Sequence, residues 1–165
     1  MSWDRWIRTV EVEPSVYAAD FSRLGEQIEI LLNAEARIFH FEAVDDPPAV
    51  AAKAREYGFQ VGLAFNPETA VEEVVPAADG FDLVLCMSIN PGYSGQKFMP
   101  EAIGRVRTLR KLLPDDVYVQ VDGGVGPDNV RELYLSGASL LVAGTSIFGR
   151  EDLPRSYRRL VQALA

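Results

Sequence analysis

Asp122 with Gly123-Gly124 behind it, and Gly144 with Thr145 behind it, are the residues whose types and spacing could do chemistry. Asp122 closes the apolar run Val119–Asp122, and Gly144 follows the apolar run Leu140–Ala143. A carboxylate at a strand end can take or give a proton. Glycine turns can leave backbone N–H groups uncovered toward an anion. In (β/α)8-type barrels, the loops after the last two strands bind a substrate phosphate, and catalytic groups sit at the carboxyl ends of strands. A glycine pair also suits an ordinary tight βα turn. Two such turns one βα unit apart favour a phosphate site formed by Gly123, Gly124, Gly144 and Thr145, with Asp122 at its edge.

The rest of the chain reads as the scaffold for these residues. Val10–Val16 alternates as a first strand, and Asp20 is a good N-cap for a helix to Asn33, with Phe21, Leu24, Ile28, Leu31 and Leu32 on its apolar face. Arg37–Val44 reads as a second strand, 45–57 as a helix, and Gln60–Phe65 as a third strand. A short helix carries Val71, Val74 and Val75, and Phe81–Ile89 is a fourth strand apolar enough for burial on both faces. After the glycine-rich loop Asn90–Gln96, a helix is expected over Pro100–Leu113. Pro127 suits the first turn of a helix with Val130, Leu133 and Tyr134 inward and Gly137 at its end. The last helix starts near Asp152 and turns Leu153, Tyr157, Leu160, Val161 and Leu164 inward. Trp3 and Trp6 suit a barrel end or a subunit contact. This alternation makes about six βα units, hence a parallel sheet covered by helices in a single domain, 1–165. A doubly wound sheet is the structural rival. The first strand is not followed by GxGxxG, which weakens its dinucleotide-binding form.

With 16 Lys and Arg against 24 Asp and Glu, the net charge of −8 argues against nucleic acid and anionic membrane partners. A sugar phosphate remains compatible, because local N–H groups supply the positive field. The single Cys86 excludes an internal disulfide and suits a reducing compartment. No apolar stretch approaches 18 residues, so a cytoplasmic protein is expected.

Several segments together carry a resemblance. Pro14–Phe21 (PSVYAADF) is similar to PSILSADF, and Met87–Phe98 (MSINPGYSGQKF) to MSVNPGFGGQKF. Gly62–Pro67 (GLAFNP), Val121–Val125 (VDGGV) and Ala143–Phe148 (AGTSIF) are similar to GLAINP, VDGGV and AGSAIF. These are motifs of the ribulose-phosphate 3-epimerase family, in the family's order. The resemblance implies an α/β, TIM-barrel-like parallel βα barrel of the ribulose-phosphate-binding type. It also implies an isomerase that epimerises a pentulose phosphate by removing a proton beside a carbonyl. The family has eight units. His40-Phe41-Glu42-Ala43 and the residues after it continue as the family's fourth strand, fourth helix and fifth strand do, so the second and third units are expected to be missing.

The resemblance further implies a divalent metal (zinc, iron or manganese) on His and Asp of the second strand, His of the third and Asp of the seventh. Of these, Asp122 alone has a clear counterpart. His40 and Glu42 alternate on one strand and point to one side. With Asp122 they could rebuild a metal site, His40 and Asp122 as ligands and Glu42 and Asp122 as an acid–base pair. The favoured alternative makes them polar fillers of the barrel top. Ser15 matches a family serine that contacts substrate oxygens. The substrate grip is assigned to Gly92, Tyr93, Ser94, Gly95, Gly123, Gly124, Gly144 and Thr145. The competing expectation is a catalytically impaired sugar-phosphate-binding protein that keeps these loops and has lost the metal site. A decarboxylase or synthase of the same superfamily is disfavoured, because no Asp-x-Lys arrangement surrounds Asp122. A homodimer is the expected assembly.

Overall fold

In the computed structural model, residues 11–14, 19–36, 62–78, 81–90, 92 and 95–165 are described. The strands are β1 (Glu11–Pro14), β2 (Gly62–Phe65), β3 (Leu83–Met87), β4 (Tyr118–Asp122) and β5 (Leu140–Ala143). The helices are α1 (Leu24–Asn33), α2 (Val71–Ala77), α3 (Glu101–Leu112), α4 (Val130–Leu135), α5 (Thr145–Phe148) and α6 (Leu153–Leu164). The expected second strand, the helix over 45–57, and Trp3 and Trp6 lie outside the described residues.

The described strands form one parallel sheet in the order β1-β5-β4-β3-β2. From β2 to β5 each crossover steps to the adjacent strand in the same direction. Parallel crossovers are right-handed, so stepping always one way keeps the helices on one face. A doubly wound sheet reverses direction at a switch point, and no reversal occurs from β2 to β5. The first strand pairs with the last, Glu11 beside Leu140 through Pro14 beside Ala143. That pairing is the seam of a singly wound, TIM-barrel-like sheet.

The core lies between the sheet and its helices. Val12, Val84, Cys86, Val119, Val121, Leu141 and Ala143 pack there with Leu31, Val106, Leu109, Val130, Leu133 and Leu160. Fully burying one such Leu or Val contributes about 1.5–3 kcal/mol. The fourth expected strand is correct in place but not in symmetry. Val84 and Cys86 are buried on the helix side, while Leu83, Leu85 and Met87 are only half-buried on the other. Tyr134 and Val161, expected inward, are both 42% exposed, beside the buried Leu133 and Leu160. Leu32, placed on the apolar face of α1, is 53% exposed, while Leu31 beside it is buried.

Two helix starts follow the expected chemistry. The Asp20 carboxylate accepts the Ser22 N–H at 3.0 Å, capping the single 3₁₀ turn that leads into α1. The Asp152 carboxylate accepts the Arg155 N–H at 2.9 Å. Pro127 differs from expectation: it lies in the turn before α4, which begins three residues later at Val130.

Burial pushes the Cys86 thiol up to about 11, partly offset by the nearby Arg105 charge. A thiol reagent at about pH 8 is therefore expected to leave the native protein unmodified and to label one cysteine after denaturation. An unfolded thiol ionises near 9.0, so the associated stability is intact below that pH and is lost as pH rises toward about 11.

Candidate active site at the carboxyl ends of the strands

Side chains alternate across a strand, so the face opposite the helix-side core carries Leu83, Leu85 and Met87 of β3, Tyr118, Gln120 and Asp122 of β4, and Leu140 and Val142 of β5. The register puts Met87, Asp122 and Val142 side by side at the carboxyl end of that face, with Leu85, Gln120 and Leu140 in the row beneath. Leu140, Val142 and Gln120 are buried, and Asp122 is half-buried. Asp122 thus stands at the carboxyl end of β4 between Met87 and Val142, the strand-end position its sequence context predicted.

The chain after Asp122 turns sharply. Gly123 has φ 118° and Gly124 φ 64°, left-handed conformations that favour glycine. A Cβ on Gly123 would lie 2.6 Å from Ile89 Cγ1 and 2.8 Å from the Ile89 nitrogen. One on Gly124 would lie 2.7 Å from the Phe98 nitrogen. The pair therefore has a packing reason as well as the conformational one: the loop after β3 lies directly against the turn after β4.

That loop also reaches the turn after β5. A Cβ on Gly95 would lie 3.7 Å from the Thr145 methyl group, and one on Gly126 would lie 3.8 Å from the Ser146 Cβ. Gly92 is exposed and has open space around its Cα. The Gln96 amide donates to the Asn90 carbonyl at 2.7 Å and closes the loop on itself. Three loops thus converge beside the start of α5. Gly144 does more than turn: its carbonyl accepts the Ile147 and Phe148 N–H groups, both at 2.9 Å, and so begins α5. The first N–H groups of a helix have no acceptor within it. Thr145 is exposed there, and the Ser146 hydroxyl oxygen is buried without a hydrogen-bond partner among the described residues.

Three residues not singled out from the sequence hold this arrangement. Ser88 bonds to the backbone of Asp122 and Gly123. The Asn129 side chain accepts the Gly126 N–H at 2.9 Å and donates to the Gly124 carbonyl at 3.0 Å. An Asn just before a helix is an N-cap signal in the sequence, but this side chain serves the preceding turn and makes no cap bond. Arg105 of α3 donates to the carbonyls of Asn66 at 2.6 Å, Thr69 at 3.1 Å and Met87 at 3.3 Å, with its guanidinium 4.6 Å from the centre of the Phe65 ring. It ties the end of β2 to the end of β3, and no spacing rule exposes such a side chain-to-backbone bridge.

Of the residues expected from the sequence, the mouth brings together Asp122, Gly123, Gly124, Gly95, Gly144 and Thr145, with Gly92 on the loop beside them. Ser15, His40, Glu42, Tyr93 and Ser94 lie outside the described residues. Among the described residues, no three His, Cys, Asp or Glu side chains form a group that could hold a metal ion. Of the proposed ligands, Asp122 alone lies among the described residues. No described helix is long and apolar enough to cross a membrane.

A solved native KDPGal structure superposes with a TM-score of 0.67 at 15% identity, over 99% of this chain and 97% of that one. That likeness concerns the fold alone. The ribulose-phosphate 3-epimerase of Candida glabrata is 36% identical over 140 residues, 85% of this chain and 53% of that protein. The chain spans about half the length of the first such curated relatives it matches. The ribulose-phosphate 3-epimerase of Escherichia coli aligns at 27% identity over 214 positions, covering 93% of each protein. A family model matches residues 32–148, from the end of α1 through β2, β3, β4 and β5 to the end of α5. The match contains the Asp122 strand end and all three converging loops, and on it the chain belongs to the Ribulose-phosphate 3 epimerase family.

Proposed function

We propose that this chain is an epimerase-like isomerase that acts on a pentulose phosphate or a related phosphosugar by proton abstraction beside a carbonyl. The observation that carries the proposal is Asp122: a half-buried carboxylate at the end of β4, beside Met87 and Val142, leading directly into the turn that meets α5. The phosphate is received at the start of α5, by its leading N–H groups and the Thr145 hydroxyl, with Gly92, Tyr93, Ser94 and Gly95 on the opposite loop. A phosphate oxygen, or a water it holds, supplies the partner that the Ser146 hydroxyl lacks among the described residues. Held there, the sugar extends toward Asp122, which removes the proton. Glu42 returns it on the other face, and Ser15 bonds a substrate oxygen. A divalent metal, if bound, would be held by His40 and Asp122 and would supply positive charge beside the substrate oxygens. The acting unit is one domain, 1–165, assembled as a cytoplasmic homodimer.

A second interpretation has specific support. The alignment with the Escherichia coli protein runs over 214 positions and this chain has 165 residues, so at least 49 of those positions have no residue here. Barrel units take roughly 30 residues each, so the deficit is close to two units. This supports a barrel of about six units; by the order of the motifs the two absent ones would be the second and third, which carry metal ligands in the family the motifs resemble. The alternative is therefore a sugar-phosphate-binding protein without turnover. An assay on ribulose 5-phosphate separates the two, run on metal-free protein and then with zinc, iron(II) or manganese. Metal-dependent turnover that His40→Ala abolishes supports the isomerase with a rebuilt site. Binding of ribulose 5-phosphate without turnover under any condition supports the binding protein, and no binding at millimolar ligand overturns both.

A further inference from the structure

We propose that Ser88 is a positioning residue for Asp122, acting from behind the strand through the backbone; this rests on the isomerase reading above. Ser88 follows Met87 at the end of β3. Met87 lies on the mouth face beside Asp122, so Ser88 continues the opposite, helix-side row of Val84 and Cys86. It is 0% exposed, the only hydroxyl in that row. From there it cannot reach a ligand at the mouth.

Its hydroxyl lies 2.8 Å from the Asp122 carbonyl oxygen and 2.7 Å from the Gly123 carbonyl oxygen, and its one proton serves both. Its N–H donates to the Asp122 carbonyl at 2.7 Å, and its own carbonyl accepts the Met99 N–H at 2.9 Å. Ser88 therefore joins three things at one buried point: the Asp122 strand end, the first residue of the glycine turn, and the far end of the loop after β3. Strand ends tend to diverge as the chain leaves the sheet. Here the ladder contact alone would hold Asp122 but leave the Gly123 carbonyl, in a buried residue, without this donor. The hydroxyl fixes the peptide that follows Asp122 and so the direction in which its carboxylate stands relative to the turn. Misplacement of a reacting group by about 1 Å costs on the order of a hundredfold in rate.

The test compares Ser88→Ala, Ser88→Thr and Ser136→Ala. Ser136 is another buried serine, bonded to Arg107 at 3.2 Å on the helix layer, and it controls for general loss of a buried hydroxyl. Steady-state kinetics on ribulose 5-phosphate and amide hydrogen exchange over 122–125 are read on each folded variant. The expected result for Ser88→Ala is a kcat reduced about tenfold to a hundredfold with KM within twofold, and faster exchange at 122–125. Ser88→Thr, which keeps the hydroxyl, recovers most of the kcat, and Ser136→Ala changes neither readout. Should Ser88→Ala fail to fold, Ser88→Cys, with a weak donor of similar size, is read in the same way. Unchanged exchange at 122–125, or an unchanged kcat in an active protein, overturns the proposal. Wild-type protein without turnover overturns the isomerase reading instead, and exchange at 122–125 still decides whether Ser88 sets the Asp122 backbone.

Discussion

Asp122→Asn is expected to reduce turnover on a sugar phosphate by about 10²–10⁴-fold, while ribulose 5-phosphate binding stays within about threefold. The substitution preserves shape and removes the charge that accepts a proton. Asp122 ends β4 between Met87 and Val142, so the amide is held by the same backbone and neighbours. Phosphate binding rests on a different group of atoms, the loops that converge on α5. The two functions should therefore separate: calorimetry with ribulose 5-phosphate reports the grip, and exchange of the substrate-derived proton with solvent reports the base. Retained exchange in Asp122→Asn would remove Asp122 as the proton acceptor. Loss of binding together with exchange would mean that the carboxylate supports the architecture rather than the reaction.

Gly123→Ala is expected to destabilise the fold by about 3 kcal/mol, seen as a lower denaturant midpoint with an unchanged slope. Two costs combine. At φ 118° an alanine is strained by its own backbone. Its methyl group would also enter at 2.6 Å from Ile89 Cγ1 and 2.8 Å from the Ile89 nitrogen. The side chain can turn aside but the backbone nitrogen cannot, so the loop after β3 has to move away from the turn after β4. Gly124→Ala, 2.7 Å from the Phe98 nitrogen, should act in the same direction. Gly104→Ala is the control. It lies within α3 with nothing within 4 Å of the added atom, and there alanine is favoured over glycine by about 1 kcal/mol. A Gly123→Ala protein as stable as the wild type would show that the two loops are not packed as described.

Much of the scaffold was legible because its signals are local. Asp20 and Asp152 mark helix starts by chemistry that acts over two or three residues. The apolar runs at 83–87, 118–122 and 140–143 form strands where expected. Asp122 reads as a strand-end carboxylate because the glycine pair stops the strand behind it. The less legible features depend on neighbours distant in the chain. Val161 has an apolar side chain in helical spacing with Leu153, Tyr157 and Leu160, yet it is 42% exposed while those three are buried. The start of α5 looks like a second glycine turn until the Gly144 carbonyl is seen to accept two N–H groups.

By itself the sequence determined the order of the described elements, the parallel α/β class, the strand-end carboxylate and the glycine turns, since each rests on periodicity and backbone preference within a short window. Only the tertiary structure decided between a singly wound and a doubly wound sheet, through the one-way order of β2 to β5 and the pairing of Glu11–Pro14 with Leu140–Ala143. Only it showed that Gly123 and Gly124 are small because Ile89 and Phe98 lie against them, and that Ser88 faces away from the mouth it braces. These are contacts between segments that the chain separates by tens of residues. Strand pairing and loop packing bring them together, and no local preference encodes which segments will meet.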